Sequence, residues 1–269
     1  MNNNLPNNDP PALINSLFIS RVHAGGISIK SFYLTLLDLI NRKYVSVKII
    51  SKNDPDHGET LDKIILKINN HSTDKLHPFE KNVLKCIAIL KYKGNINILN
   101  MKDIIKKRLK VNNFQKNYDA WTKNFYHEFL ENNKLNHSNN KFTQILGIGG
   151  WTKEGKELKV KWDLFKSYYT KNLKSSNQSK EFLNEGIKYI PYLYALGIPK
   201  NILINSFSQS TNITDAFLFL KYVKDSMIHD IVKDFLRADG SFEPKYYNTS
   251  GNFVPGYGIT GFSSYDGDD

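Results

Sequence analysis

Several kinds of residue and pattern are scarce in this chain, and each scarcity removes a class of protein. One cysteine, Cys86, stands among 269 residues, which rules out an intramolecular disulfide and fits a reducing compartment. It lies in the apolar run "NVLKCIAIL", where a small buried hydrophobe is the expectation. No window reaches the roughly 18 charge-free apolar residues of a membrane span. The nearest approach, 187–207, is broken by prolines, Lys200 and Asn201. The opening "MNNNLPNNDPP" has no basic start followed by an apolar stretch, so no secretory leader is expected. Acids are few as well: 26 against 37 lysines and arginines, a formal charge of +11. Such an excess favours anionic partners such as nucleic acid, acidic lipid or an acidic protein.

Recognisable reaction chemistry is missing too. "LGIGGW" carries Gly147, Gly149 and Gly150 but lacks the third spaced glycine of a dinucleotide fingerprint, and no phosphate-loop lysine follows. "HEFLE" sets His127 beside Glu128, with Glu131 where a zincin needs histidine. "HDIVKD" offers His229, Asp230 and Asp234 near a helix end, without distant partners for a metal site. His23, His57, His71, His77 and His137 fall in turns or loops with no ligand spacing. No serine is framed as a nucleophile. No enzyme activity, cofactor, metal or small-molecule substrate is expected.

What is present is globular: 40% apolar and 13% aromatic residues. After an Asn-rich stretch at 1–9, Asp9 followed by Pro10 and Pro11 reads as a helix start running to about Val22. Phe32, Leu36, Leu39, Ile40 and Tyr44 keep helical spacing. "YVSVKII" and "LDKIILKIN" alternate as strands around the turn formers "KNDPDHGET". Helices followed by such a hairpin resemble a winged helix-turn-helix. A second unit repeats the plan less clearly: a helix from Pro78, a short strand "NINIL", a basic helix "MKDIIKKRLK", and a helix striped by Phe114, Tyr118, Trp121, Phe125 and Phe129.

From Trp151 the pattern is helical, with Trp162, Phe165 and Tyr169 on one side. "IKYIPYLYALGIPKNIL" then places two prolines and a glycine within nine residues. Proline suits a first helical turn and glycine a left-handed stop. Pro191 therefore starts a short helix ended by Gly197, and Pro199 starts the next. "NITDAFLFLKYVKDSMIHDIVKDFL" predicts one last long helix capped near Asn212 or Thr214. The Gly/Tyr/Asp-rich 240–269 predicts a flexible tail.

These motifs resemble the C-terminal part of a family of predicted membrane proteins, domain-of-unknown-function 2207. "W-x-x-F-K-x-Y" at Trp162, Phe165, Lys166 and Tyr168 precedes Phe182 and the corner of Pro191, Tyr192, Ala195, Leu196 and Gly197. "TLLDLINRKYVSVK" resembles the family's segment after its membrane anchor, and "TKEGKEL" its approach to the tryptophan helix. The resemblance implies the cytosolic portion of a membrane-anchored protein, and no catalytic residues carry over. Leu193 and Tyr194 are bulkier than the family pattern. Only about fifteen residues, 136–150, lie where many relatives place two spans, so "SNNKFTQILGIGGW" is expected to be a surface connector.

The sequence thus predicts a mainly α protein with small β-hairpins: a winged-helix-like domain at 10–74, a second helical and winged-helix-like domain at 75–146, and a helical subdomain at 147–239. The expected role is a protein-interaction or assembly platform on the cytoplasmic side of a membrane, with an anionic lipid surface as a further partner. The alternative is a winged-helix DNA-binding regulator. Its reading helix would present Lys30, Ser31, Thr35, Asp38, Asn41 and Arg42, a weakly basic set. Lys102, Lys106, Lys107, Arg108 and Lys110 form the candidate anion-binding cluster, for phosphate or acidic lipid.

Overall fold

The computed structural model describes residues 5–18, 29–54, 58–91, 96–100, 108–131, 152–175, 178–237, 246–247 and 253–254. Helix α1 (Pro11–Phe18) opens where the sequence places it. The Pro10 carbonyl accepts from the amides of Leu13 and Ile14 at 2.9 and 3.1 Å, while the prolines themselves leave no amide donor stranded. The expected continuation of this helix to Val22 lies outside the described residues. Helix α2 (Ile29–Asn41) is buried at every position from Ser31 to Ile40. A helix buried all round belongs to the middle of a core. Lys43 takes a left-handed φ of 64°, which turns the chain into the sheet.

Strand β1 (Val45–Asp54) pairs antiparallel with β2 (Gly58–Ile68), with a register shift at Ile50/Ser51. Pairing continues to Asp54 opposite Gly58, so the strands reach further into the turn-forming segment than its composition suggested. Val45, Val47, Ile64 and Leu66 face inward and are buried, as the two-residue alternation requires. Helix α3 (Pro78–Ile89) follows, its entry fixed by Glu80 Oε2 accepting from the His77 amide at 2.8 Å. Strand β3 (Ile96–Asn97) pairs with β2, giving the order β1-β2-β3. Helix α4 (Arg108–Glu131) lays Phe114, Tyr118, Trp121 and Phe125 against α2 and α3. Phe32 meets the Trp121 ring edge-on at 5.2 Å, and Phe79 meets Phe125 likewise at 5.2 Å. This layout is compatible with a winged-helix unit.

Helix α5 (Lys153–Leu173) is capped by Thr152, whose hydroxyl accepts from the Gly155 amide at 2.9 Å. Its inner stripe is Leu158, Trp162, Phe165, Tyr169 and Leu173. Short helices α6 (Lys180–Gly186), α7 (Ile190–Ala195) and α8 (Lys200–Phe207) follow. The expected single long helix is instead two, α9 (Asp215–Tyr222) and α10 (Asp225–Arg237). Thr214 caps the first. Val223 breaks the run with an extended backbone (φ −103°, ψ 107°). Its carbonyl leaves the helical ladder and accepts from the Tyr33 hydroxyl at 3.2 Å and Lys200 Nζ at 2.9 Å. Within the expected tail, β4 (Tyr246–Tyr247) pairs with β5 (Phe253–Val254).

The protein is therefore mostly helical with a small three-stranded antiparallel sheet. Segments 10–74, 75–146 and 147–239 all contribute to one continuous core. Side chains from α1 and α2 also bond directly to the C-terminal half. Asn15 donates to the Ala195 carbonyl at 2.6 Å and Asn41 to that of Lys188 at 3.0 Å.

Candidate functional site

The motif residues singled out at 162–197 assemble into one aromatic corner. Trp162 is fully buried and stacks on Tyr192 with ring centres 5.7 Å apart and planes 11° from parallel. Phe165 meets Tyr189 edge-on at 5.6 Å. Phe182 packs on Tyr169 at 5.4 Å. Pro191 sits in the first turn of α7, and Ala195 and Leu196 are buried. Gly197 has φ 80°. Its amide donates to the Tyr194 carbonyl, and the Ile198 amide reaches back to the Leu193 carbonyl, both at 3.1 Å. This pair of bonds around a left-handed glycine is a Schellman stop. The corner is a packing device: its aromatic and aliphatic residues pack on the core, and Gly197 ends α7.

Two clusters of charged and hydroxyl groups join the elements around α2. In the first, Arg42 Nε lies 2.9 Å from Asp38, and Arg42 Nη2 bonds Glu80. Burial pushes the Asp38 carboxyl up to about 7, with Arg42 opposing and Glu80 adding to the rise. The Arg42 guanidinium also lies 5.5 Å over the Tyr44 ring. Burial, then Asp38, holds the Tyr192 hydroxyl above its ordinary range, so the corner and this cluster share one environment. In the second, the Tyr194 hydroxyl donates to Asp225 Oδ2. Lys200 Nζ stands 4.0 Å from Asp225 Oδ1, and Lys30 Nζ lies 4.9 Å over the Tyr194 ring. Burial lowers both lysines while Asp225 opposes it. Burial raises the Tyr33 and Tyr194 hydroxyls, so both act as neutral donors. These groups face one another and fasten α2 to α7, α8 and the α9–α10 break.

The remaining candidates scatter. Lys102, Lys106 and Lys107 lie outside the described residues, as do the side chains of Arg108 and Lys110 in the first turn of α4. Gly147, Gly149, Gly150 and the expected connector also fall outside them. The outward DNA-reading face assigned to α2 is corrected: Ser31, Thr35 and Asp38 are buried. They face inward because α1, α3 and α9 pack around α2. Thr35 bonds the Ser31 carbonyl at 2.7 Å, and Asp38 bonds Arg42. Cys86 is buried, which pushes its thiol pKa up. His229 lies 3.3 Å from Asp230 at the surface. Among the described residues no three histidine, cysteine or acidic side chains gather as metal ligands. A crevice walled by Phe32, Leu36, Leu66, Phe114 and Val232 holds about 20 Å³, the space of a single water rather than a ligand.

One charged surface escaped the sequence reading. On the outer face of the β1–β2 pair, exposed Lys48 stands opposite Ile65, flanked diagonally by exposed Lys63 and Lys67. The alternation marks these lysines as the polar side of each strand. Their convergence depends on pairing register, which the sequence does not print.

The family model described as "Predicted membrane protein (DUF2207) C-terminal domain" matches residues 2–151, more than half of the 269-residue chain. The chain belongs to this family. The match takes in α1 through α4 and the sheet of this DUF2207 chain, and the aromatic corner lies beyond it. No curated protein and no solved structure matches the chain. Among the described residues no helix is long and apolar enough to cross a membrane.

Proposed function

We propose that this DUF2207 chain is a non-catalytic interaction module that works on the cytosolic side of a membrane and assembles protein partners beside it. The observation that carries the reading is membership of a family described as predicted membrane proteins. Two features support it. The motif residues pack into one core and both polar clusters tie its helices together, which suits a scaffold. The net charge of +11 suits the negative cytoplasmic leaflet, where each lysine near the surface contributes about 1 kcal/mol.

Against the DNA-binding alternative, the helix that would read the groove in the first unit, α2, is buried from Ser31 to Ile40. Titration against duplex DNA and against anionic vesicles, each at two salt concentrations, separates the two. The membrane-side reading expects weak DNA binding. Tight DNA binding with a steep salt slope, and none to vesicles, would overturn it.

A further inference from the structure

The outer face of the hairpin has a composition unlike that of the helical surfaces. Ser46, Lys48 and Ile50 from β1 stand opposite Lys67, Ile65 and Lys63 from β2. The three lysines are exposed and the two isoleucines are half-buried between them. Lys63 and Lys67 are the two diagonal neighbours of Lys48, and diagonal neighbours on an antiparallel pair lie roughly 7–8 Å apart. Asp62 Oδ2 lies 3.6 Å from Lys63 Nζ. Neither Lys48 nor Lys67 has an ion-pair partner among the described residues. By contrast, the lysines of α5 are interleaved with Glu154, Glu157 and Asp163, and Lys159 is paired to Asp163 at 2.5 Å.

We infer that this face is a docking surface for anionic phospholipid headgroups. The inference rests on the membrane-side reading above and names the surface that would meet the bilayer. Three points lead to it. The lysines are compact point charges on long stems, suited to an array of headgroup phosphates and poor at bidentate recognition. Groups that read base edges in a DNA groove, such as arginine, asparagine or glutamine pairs, are missing from these six positions. The isoleucines between the ammonium groups supply apolar area for the headgroup–acyl boundary, as in peripheral proteins that lie on a membrane. The platform is rigid: its reverse side is core, and the edge of β1 is held by Asp215 Oδ2 accepting from the Val47 amide at 2.9 Å.

The test is co-sedimentation with phosphatidylcholine vesicles with and without phosphatidylglycerol. Wild type should bind only the anionic vesicles. Replacing all three lysines (K48Q, K63Q and K67Q together) should weaken that binding roughly 100-fold, from about fivefold per charge. Removing the same charge from α3 and α4 (K85Q, K116Q and K123Q together) should change it little. A polarity-sensitive dye on S46C should shift to the blue on anionic vesicles, and one on S167C in α5 should not. Equal losses in the two triple variants, no attachment of wild type, or a dye response only at S167C would each overturn the inference. If DNA binding is also weak, the interaction-module reading survives all three outcomes. Loss of DNA binding rather than vesicle binding in the first variant would overturn both.

Discussion

Helices α2 and α5 are both striped with large apolar side chains, yet the protein uses them in opposite ways. Every position of α2 from Ser31 to Ile40 is buried. On α5 only the stripe through Trp162 and Tyr169 is buried, and Val160 and Leu164 remain 58% and 57% exposed. A helix wrapped on all sides must give its polar groups internal partners. This is why Tyr33 and Thr35 donate to backbone carbonyls and Asp38 is paired with the Arg42 guanidinium. A helix attached by one face has no such demand, and its outer side chains are free to vary. Amphipathic spacing alone does not tell the two apart. What separates them is how many elements come back to cover the second face.

Core truncation should show the contrast most strongly. Leu37→Ala, at a fully buried site in α2, should cost about 2–5 kcal/mol in urea unfolding. Leu164→Ala on α5 should stay within about 0.5 kcal/mol. Comparable losses would mean that α5 is covered as fully as α2.

The Asp38 cluster should make α2 sensitive to pH. The folded carboxyl titrates near 7 against an ordinary 3.8, so the fold favours its protonated form. That contribution is complete below about pH 4 and is lost as pH rises through 7. It should amount to a few kcal/mol across the window. Asp38→Asn should flatten the decline in melting temperature between pH 4 and 7, whereas an unchanged slope would place the titration elsewhere.

Smaller effects sharpen the α5 side and the exit from α2. A Cβ at Gly186 would sit 3.0 Å from Tyr169 and 3.1 Å from Phe207. Gly186→Ala should therefore destabilise by about 1–2 kcal/mol through overpacking, despite alanine's better helix propensity. A neutral result would show that the Tyr169 and Phe207 rings yield. Lys43→Gly should stabilise by up to about 1 kcal/mol in thermal unfolding, by relieving the left-handed backbone. Destabilisation would mean that the lysine side chain matters more than its φ.

Much of the local structure was legible in the sequence. The strand alternation around Val47 and Leu66, the helix start at Pro78, the cap at one of the two expected positions, Thr214, and the corner from Pro191 through Gly197 to Pro199 each follow from short-range chemistry. The inward face of α2 did not, because Ser31, Thr35 and Asp38 look like surface residues until elements far along the chain cover them. The break at Val223 was hidden for the same reason. Its carbonyl is drawn off by Tyr33, which lies 190 positions earlier. The lysine face required the β1–β2 register, set by a bulge at Ile50/Ser51 that composition does not signal. The surface was harder to read than the core because packing leaves a periodic trace and solvent contact does not.

The decisive experiment is lysine footprinting by acetylation, read by mass spectrometry on wild-type chain alone, with anionic vesicles and with duplex DNA. Vesicles should protect Lys48, Lys63 and Lys67 and leave Lys85, Lys116, Lys123 and Lys161 unchanged, and DNA should protect none of them. Protection of the three sheet lysines by DNA and not by vesicles would contradict docking of this face on lipid.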